Sequence, residues 1–92
     1  NFNCNKHIIL GMMSNKDHKE YMSYFKNISS LTTIDIPYQT NAIKGIELKN
    51  KFPRAQFRSS IQEAINKLNL QENDIVLITG SLYLAGEVLN LN

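Results

Sequence analysis

Residues 75–81 have the sequence Ile-Val-Leu-Ile-Thr-Gly-Ser, an apolar, largely β-branched run that ends in a glycine and a serine. A continuously apolar run of this length is typical of a strand that is buried on both faces of a parallel sheet. We therefore expect this strand to be central in the sheet, with helices on both faces. Gly80 and Ser81 then predict a turn into a last helix over residues 81–89.

The beginning of the chain has the pattern of a β-α-β unit. Residues 7–11 form a shorter apolar run that stops at a glycine, which predicts another buried strand. Ser14 and Asp17 have the spacing of a capping box, and apolar residues follow at helical intervals, so we expect a helix over residues 15–28. Residues 31–36 predict the next strand, which a proline closes.

The middle of the chain predicts two more helices and a short strand. Residues 40–52 indicate a helix that Gly45 weakens. Residues 55–57 predict a short edge strand, and Ser60 with Glu63 forms a capping box before an apolar stripe. Strands that alternate with helices in this way favour an open, mostly parallel, Rossmann-like α/β sheet with helices on both faces.

Length and charge exclude several classes of protein. Ninety-two residues allow one domain, over residues 1–92. A net charge of +2 is too small for a nucleic-acid surface, and we interpret the locally basic stretch at 44–58 as a solvated helix face and loop. The chain has neither an apolar run of about 20 residues nor a signal peptide, so we expect no membrane span and a cytoplasmic location.

The chain begins with Asn1 rather than Met, and we expect it to be a piece of a longer polypeptide. It has a single cysteine, Cys4, which excludes an internal disulfide. His7 and His18 lack partners at metal-ligand spacing, so no metal site is predicted. A phosphate-binding GxxxxGK[ST] loop, a GxGxxG turn and a nucleophile–base–acid set are all missing from the sequence.

The candidate site residues lie where ligands of open α/β sheets bind, beyond the carboxyl ends of the strands. Gly80 lets a ligand approach the backbone, and free N–H groups there favour a carboxylate or phosphate. Ser81 belongs to the same turn and is a candidate to bind that anion, but on chemistry alone the role of helix N-cap is the simpler explanation of this serine. Lys16 and Asp17 belong to the same edge, and Asp17 also has the alternative role of capping a helix.

Two of these turns resemble segments of the bifunctional folylpolyglutamate synthase/dihydrofolate synthase family. Residues 74–88, DIVLITGSLYLAGEV, are similar to the end of that family, where a strand runs into a G-S-L-Y helix. Residues 11–17, GMMSNKD, resemble its G-x-x-x-D-K-D segment, with Asn15 in place of the first aspartate. Residues 61–68 resemble the helix that precedes the family's last strand, so the resemblance covers nearly the whole chain.

The resemblance implies the C-terminal, Rossmann-like domain of a Mur-type ligase, without that domain's first strand and helix. The complete enzyme would use ATP and Mg²⁺, which this piece alone is not expected to bind. Its partners would be the N-terminal ATPase domain of the same polypeptide, L-glutamate, and folate or dihydropteroate. Because that first strand is missing, we expect exposed apolar surface beside the strand at residues 7–10.

The reaction that the resemblance implies is ATP-dependent amide formation through an acyl phosphate, with no catalytic residue on this chain and no activity of the chain alone. Ser81, with Gly80, would lie near the glutamate substrate, and Lys16 with Asp17 at the domain junction. Residues 41–42 are Asn-Ala where many relatives have Arg-Ala, which removes one expected carboxylate contact. The alternatives are a non-catalytic α/β interaction or regulatory module and an independent small-anion-binding domain.

Overall fold

Strands and helices alternate along the part of the chain that this computed structural model describes, residues 4–81, 83 and 84. In chain order the described elements are β1 (Lys6–Leu10), α1 (His18–Ser23), β2 (Ser30–Thr33), α2 (Gly45–Asn50), β3 (Gln56–Phe57), α3 (Ile61–Lys67) and β4 (Ile75–Thr79). The strands form one sheet in the order β3-β2-β1-β4, and every pairing is parallel. The predicted open, parallel α/β sheet is confirmed.

The winding of the chain reverses between β1 and β4. The chain passes outward from β1 through β2 to β3 and then returns to place β4 on the other side of β1. Because crossovers are right-handed, the helices that connect β1 to β2 and β2 to β3 lie on one face of the sheet, and the helix that connects β3 to β4 lies on the opposite face. Accordingly, Met22 of α1 and Leu48 of α2 lie in one apolar cluster, whereas Ile61 and Ala64 of α3 lie in the other.

Strand β1 supplies the centre of both clusters. Ile8 and Leu10 point to the cluster that α1 and α2 cover, and Ile9 points to the cluster under α3. This alternation follows from the two-residue period of a strand. Ile9 and Leu10 are fully buried, so β1 is covered on both faces.

Among the described residues β4 pairs with β1 alone and lies at the edge of the sheet, so the prediction that the strand at residues 75–79 is central is wrong for the described sheet. Ile75 and Leu77 are 52% and 42% exposed, while Val76 and Ile78 pack partly buried under α3. A continuously apolar run shows that both faces of a strand are apolar, and it carries no information on the number of neighbouring strands. The exposed apolar surface that we expected beside β1 therefore lies on β4.

Helix α1 is much shorter than the predicted 15–28 and begins later. Asp17 is its N-cap, with the carboxylate accepting the Glu20 N–H at 3.1 Å. The predicted cap, Ser14, is engaged elsewhere, since both its N–H and its hydroxyl donate to the Asn41 carbonyl at 2.8 Å. The apolar residues beyond the helix end, Phe25 and Ile28, still pack against the core.

The second predicted helix, 40–52, is also shortened at its N-terminal end, to Gly45–Asn50. Ala42 forms an isolated antiparallel bridge with Met13, and the Ile43 N–H donates to the Met12 carbonyl at 3.0 Å. These bonds to the loop after β1 compete with helix formation. The β2 ladder likewise ends at Thr33 instead of residue 36.

Gly45 has a packing role that its predicted place in mid-helix did not indicate. It is the first residue of α2, where a Cβ atom would come within 2.6 Å of the Phe57 ring and 2.7 Å of the Ile34 carbonyl carbon. Its N–H donates to the Asp35 carboxylate at 2.7 Å. Glycine therefore lets α2 approach the sheet closely at this point.

The remaining local predictions agree with the structure where it describes them. The short edge strand is β3, and Ser60 caps α3 by accepting the Glu63 N–H at 3.1 Å. The Glu63 carboxylate accepts from the N–H and hydroxyl of Ser59, at 2.7 and 2.8 Å. Of the predicted helix over 81–89, residues 83 and 84 are helical, Ser81 is described and lies before the helix, and residues 82 and 85–89 lie outside the described residues. No described helix is long and apolar enough to cross a membrane.

Candidate functional site

A cleft of about 930 Å³ lies beyond the carboxyl ends of β1 and β4. Its volume is in the range of small-molecule sites, roughly 300–1,000 Å³. It lies at the point where the strand order reverses, which is where open α/β sheets bind ligands. The lining residues are Met13, Ser14, Asn15, Lys16, Tyr21, Asn41, Ile78, Thr79, Gly80, Ser81, Tyr83 and Leu84.

The floor of this cleft is a contact between the backbones of the turns after β1 and β4. The Gly11 N–H donates to the Thr79 carbonyl at 3.2 Å. Gly80 has a φ of 111°, and a Cβ atom there would collide with the Gly11 carbonyl oxygen. A side chain at position 80 would thus be strained in its backbone and would also separate the two turns.

The loop that forms one wall, residues 11–17, is fastened to its surroundings at several points. Met13 pairs with Ala42, and Ser14 donates twice to Asn41. The buried ring of His18 has its Nε2 atom 2.9 Å from the Met13 carbonyl oxygen, which assigns this histidine to positioning the loop. The exposed side chain of Lys16 is therefore presented from an anchored backbone.

The electrostatic character of the cleft favours an anion. Lys16 is the one charged residue among the described residues that line it, and the polar groups around it are hydroxyls and side-chain amides. An ammonium group together with neutral donors suits a carboxylate or a phosphate. Within the described ranges, no three His, Cys, Asp or Glu side chains come together to hold a metal ion.

Three of the four predicted site residues line the cleft: Gly80, Ser81 and Lys16. Asp17 does not line it. Its carboxylate caps α1, and the residue faces a smaller adjoining hollow that Lys16 and Gly80 also border. For Asp17 the geometry therefore supports helix capping, the alternative that the sequence left open, over ligand binding.

The Ser81 hydroxyl oxygen accepts the Tyr83 N–H at 3.1 Å, which is the capping role that the sequence left open. A hydroxyl that accepts one hydrogen bond still has its own proton to donate. Capping of the turn and donation to a ligand in the cleft are therefore compatible roles for this serine.

Tyr21, Thr79 and Asn41 line the cleft without having been predicted as site residues. The hydroxyls of Tyr21 and Thr79 share a hydrogen bond of 2.5 Å that joins α1 to the end of β4. Thr79 could have been found as the polar residue that ends an apolar strand. Tyr21 belonged to an apolar helical stripe and has no local signal. Asn41 reaches the cleft through a long-range bridge, and its position was indicated by the resemblance, in which many relatives have an arginine there.

Comparison with known proteins identifies the fold. No family model matches the chain, and no curated protein matches it in sequence. Among solved structures it is similar to the folylpolyglutamate synthase of Mycobacterium tuberculosis, crystallised with ADP and AMPPCP, with a TM-score of 0.77 and 16% sequence identity. The match covers 95% of this chain and 23% of that one. The chain has the fold of one part of that synthase.

The similarity agrees with the fold that the G-S-L-Y and N-K-D segments implied. At this sequence identity it establishes the architecture, and it covers nearly all of the chain. The chain spans less than a quarter of the synthase's length, so the activity and ligands of the whole synthase enter only as a proposal.

Proposed function

We propose that this chain forms the C-terminal domain of an ATP-dependent ligase that joins L-glutamate to dihydropteroate or folate. The observation that carries the proposal is the anion-favouring cleft at the strand-order reversal, in a fold shared with a synthase crystallised with ADP and AMPPCP. The resemblance of residues 11–17 and 74–88 to the folylpolyglutamate/dihydrofolate synthase family supports it further.

In this proposal the substrate carboxylate attacks the γ-phosphorus of ATP, which releases ADP and gives an acyl phosphate. The amine of L-glutamate then attacks the acyl carbon, loses a proton and expels inorganic phosphate from a tetrahedral intermediate. The phosphate-binding machinery belongs to the N-terminal ATPase domain of the same polypeptide. The described residues do not fit a magnesium site, so no step is assigned to a metal on this chain.

The role of the cleft is to bind and orient an anionic group of glutamate or of the nucleotide. The Lys16 ammonium supplies the charge, and the Ser81 hydroxyl, whose own proton is free to donate while its oxygen accepts the Tyr83 N–H, supplies a neutral donor. Holding the amine of glutamate near the acyl phosphate lowers the activation free energy of amide formation, because the entropy of bringing the two groups together is lost on binding and not in the reaction step. The isolated 92-residue chain is expected to show no turnover.

The test uses the complete polypeptide that contains this chain, assayed for phosphate release that depends on ATP, L-glutamate and a folate acceptor. We expect Lys16→Ala to raise the KM for the anion it contacts about tenfold, the equivalent of about 1.4 kcal/mol. Ser81→Ala is expected to raise the same KM by a smaller factor. Separate KM values for glutamate and ATP identify which substrate occupies the cleft.

Ser59→Ala is the matched control, because Ser59 is an exposed serine outside the cleft. It should leave both KM values unchanged. Unchanged KM values in the Lys16 and Ser81 variants would show that the cleft does not bind a substrate of the reaction. Absence of glutamate-dependent ATP turnover in the complete polypeptide would contradict the ligase and favour the non-catalytic interaction module.

A further inference from the structure

A second cavity of about 640 Å³ lies at the opposite edge of the sheet, beside the amino ends of β2 and β3. We call it the amino-edge groove, and it is lined by Lys19, Met22, Ser23, Ile28, Ser29, Ser30, Leu31, Lys51, Phe52, Pro53, Arg54 and Ala55. It shares no lining residue with the cleft described above. Any ligand it takes is therefore separate from the proposed ligase substrates.

The floor of the amino-edge groove is apolar. Met22, Leu31 and Ala55 belong to the buried core under α1 and α2, and Ile28 and Phe52 pack partly buried against them. Apolar side chains of the core are thus accessible at the bottom of a concave surface. A hollow of this size accommodates a large apolar side chain, whose burial against the core residues is favourable.

Among the described residues that line it, the rim of the amino-edge groove carries three cations and no acidic side chain. Lys19, Lys51 and Arg54 are exposed, and the described residues contain one ion pair, His7 with Asp74, which involves none of them. Lys51 follows the C-terminal end of α2, where a cation also offsets the helix dipole. Lys19 and Arg54 have no such role, so an excess of positive charge remains.

The serine hydroxyls of the amino-edge groove are already engaged within the protein. Ser23 donates to the Glu20 carbonyl at 2.5 Å, and Ser29 accepts the Lys6 N–H at 3.0 Å. The Ser30 hydroxyl lies 2.7 Å from Nδ1 of His7. Recognition of a charged ligand therefore depends on the three cations rather than on neutral hydrogen bonds.

We propose that the amino-edge groove binds an acidic protein segment that inserts one large apolar side chain and pairs flanking carboxylates with Lys19, Lys51 and Arg54. The recessed floor favours a peptide side chain over a lipid surface, which needs a protruding apolar face. Among the described residues that line the amino-edge groove, Phe52 is the one aromatic residue, which leaves little surface for stacking bases. The chain's net charge of +2 is also too small to favour a nucleic acid. This inference is independent of the proposed ligase function.

The test titrates the 92-residue chain into a fluorescein-labelled peptide that has one phenylalanine between runs of glutamate and aspartate. We expect saturable binding that weakens with added salt. It should be lost with a peptide that has lysines in place of the acidic residues, and weakened when alanine replaces the phenylalanine. Amide chemical-shift changes should concentrate at residues 19, 29–31 and 51–55, and spare residues 11–17 and 79–81.

Arg54→Glu is expected to raise the Kd at least about tenfold. Lys67→Glu makes the same change of charge on α3, which covers the other face of the sheet, and should change the Kd by less than about twofold. Circular dichroism confirms folding of each variant, and Lys19→Glu replaces Arg54→Glu if the latter does not fold.

Four results would overturn the proposal: equal binding of the acidic and the lysine peptides, an unchanged Kd in the charge-reversed variant, shift changes centred on the carboxyl-edge cleft, or tighter binding of single-stranded DNA or phosphatidylserine vesicles. Self-association that Arg54→Glu abolishes, measured by sedimentation, would instead assign the groove to a second copy of the chain.

Discussion

The two edges of the sheet are joined in opposite ways. At the carboxyl edge, β1 and β4 meet through glycine backbones, with Gly11 and Gly80 in contact and no side chain between them. At the amino edge, the imidazole of His7 joins three strands, since Nδ1 lies 2.7 Å from the Ser30 hydroxyl and Nε2 lies 3.3 Å from the Asp74 carboxylate. The carboxyl edge is held by direct contact between glycine backbones, and the amino edge is held by hydrogen bonds between polar side chains.

The polar groups at the two edges also differ in their exposure. At the carboxyl edge the glycine backbones pack directly on each other, and the polar groups around the cleft include exposed ones such as Lys16. At the amino edge both ring nitrogens of His7 already have a partner within the protein, the Ser30 hydroxyl at Nδ1 and the Asp74 carboxylate at Nε2. The sequence shows only that His7 lacks partners at metal-ligand spacing, and the structure gives it hydrogen bonds to Ser30 of β2 and to Asp74, the residue before β4.

Gly80→Ala should break the carboxyl edge and have the largest effect. The methyl group would collide with the Gly11 carbonyl oxygen, and the φ of 111° is unfavourable for alanine. We expect a loss of about 3 kcal/mol in the free energy of unfolding, measured by urea denaturation. The control is Gly11→Ala, whose Cβ would meet side-chain atoms of Ile36 and Leu84 at 3.0 and 3.3 Å.

Because side chains can move aside more easily than backbone, Gly11→Ala should cost only about 1 kcal/mol. Equal losses in the two variants would show that the backbone contact is not what holds this edge together.

Asp74→Asn tests the amino edge, with a smaller expected effect. The backbone N–H groups of Gln71 and Asn5 donate to Asp74 and, with a further contribution from His7, hold the pKa of its carboxyl below the usual 3.8. A lowered pKa stabilises the fold above about pH 3.8, and this stabilisation is lost as the pH falls through the folded-state pKa. The variant should lose that part of the acid dependence.

The measurement is the free energy of unfolding as a function of pH between pH 2 and 6, with on the order of one denaturation curve per half pH unit. Glu63→Gln is the comparison, because Ser59 lowers the pKa of Glu63 below its usual 4.5 in a local cap that joins no strands. If the free energy of unfolding of Asp74→Asn falls at low pH as steeply as that of the unmodified chain, the Asp74 carboxylate does not stabilise the amino edge as described.

Tyr21→Phe should have the smallest effect and sharpens the description of the cleft. It removes the hydroxyl that bonds Thr79 and should lower the free energy of unfolding by about 1 kcal/mol. Tyr24→Phe is the control, since Tyr24 is 72% exposed and should change stability very little. A double-mutant cycle with Thr79→Val measures the coupling, and a coupling near zero would mean that this bond does not join α1 to β4 in solution.

The features that were predictable from the sequence are those in which a short stretch decides its own conformation. The strands at residues 6–10 and 75–79 follow from β-branched apolar runs, and the Ser60 cap follows from residues three positions apart. The Gly80-Ser81 turn could be located for a related reason, because it follows the longest apolar strand.

The helix boundaries were less predictable because distant contacts compete for the same backbone groups. Ser14 bonds Asn41 rather than its own helix, and Ala42 pairs with Met13, so α1 and α2 begin several residues late. The same contacts bring Asn41 into the cleft. These bonds link residues that are more than 25 positions apart, and no local periodicity indicates them.

By itself, the sequence determined that strands and helices alternate, that the strands are parallel, and that Lys16, Gly80 and Ser81 lie beyond their carboxyl ends. Only the tertiary structure decided that β4 lies at the edge next to β1, which opens the cleft at their junction and brings Tyr21 to Thr79. The physical reason is that local periodicity specifies which faces of an element are apolar, whereas strand order depends on which distant elements cover those faces.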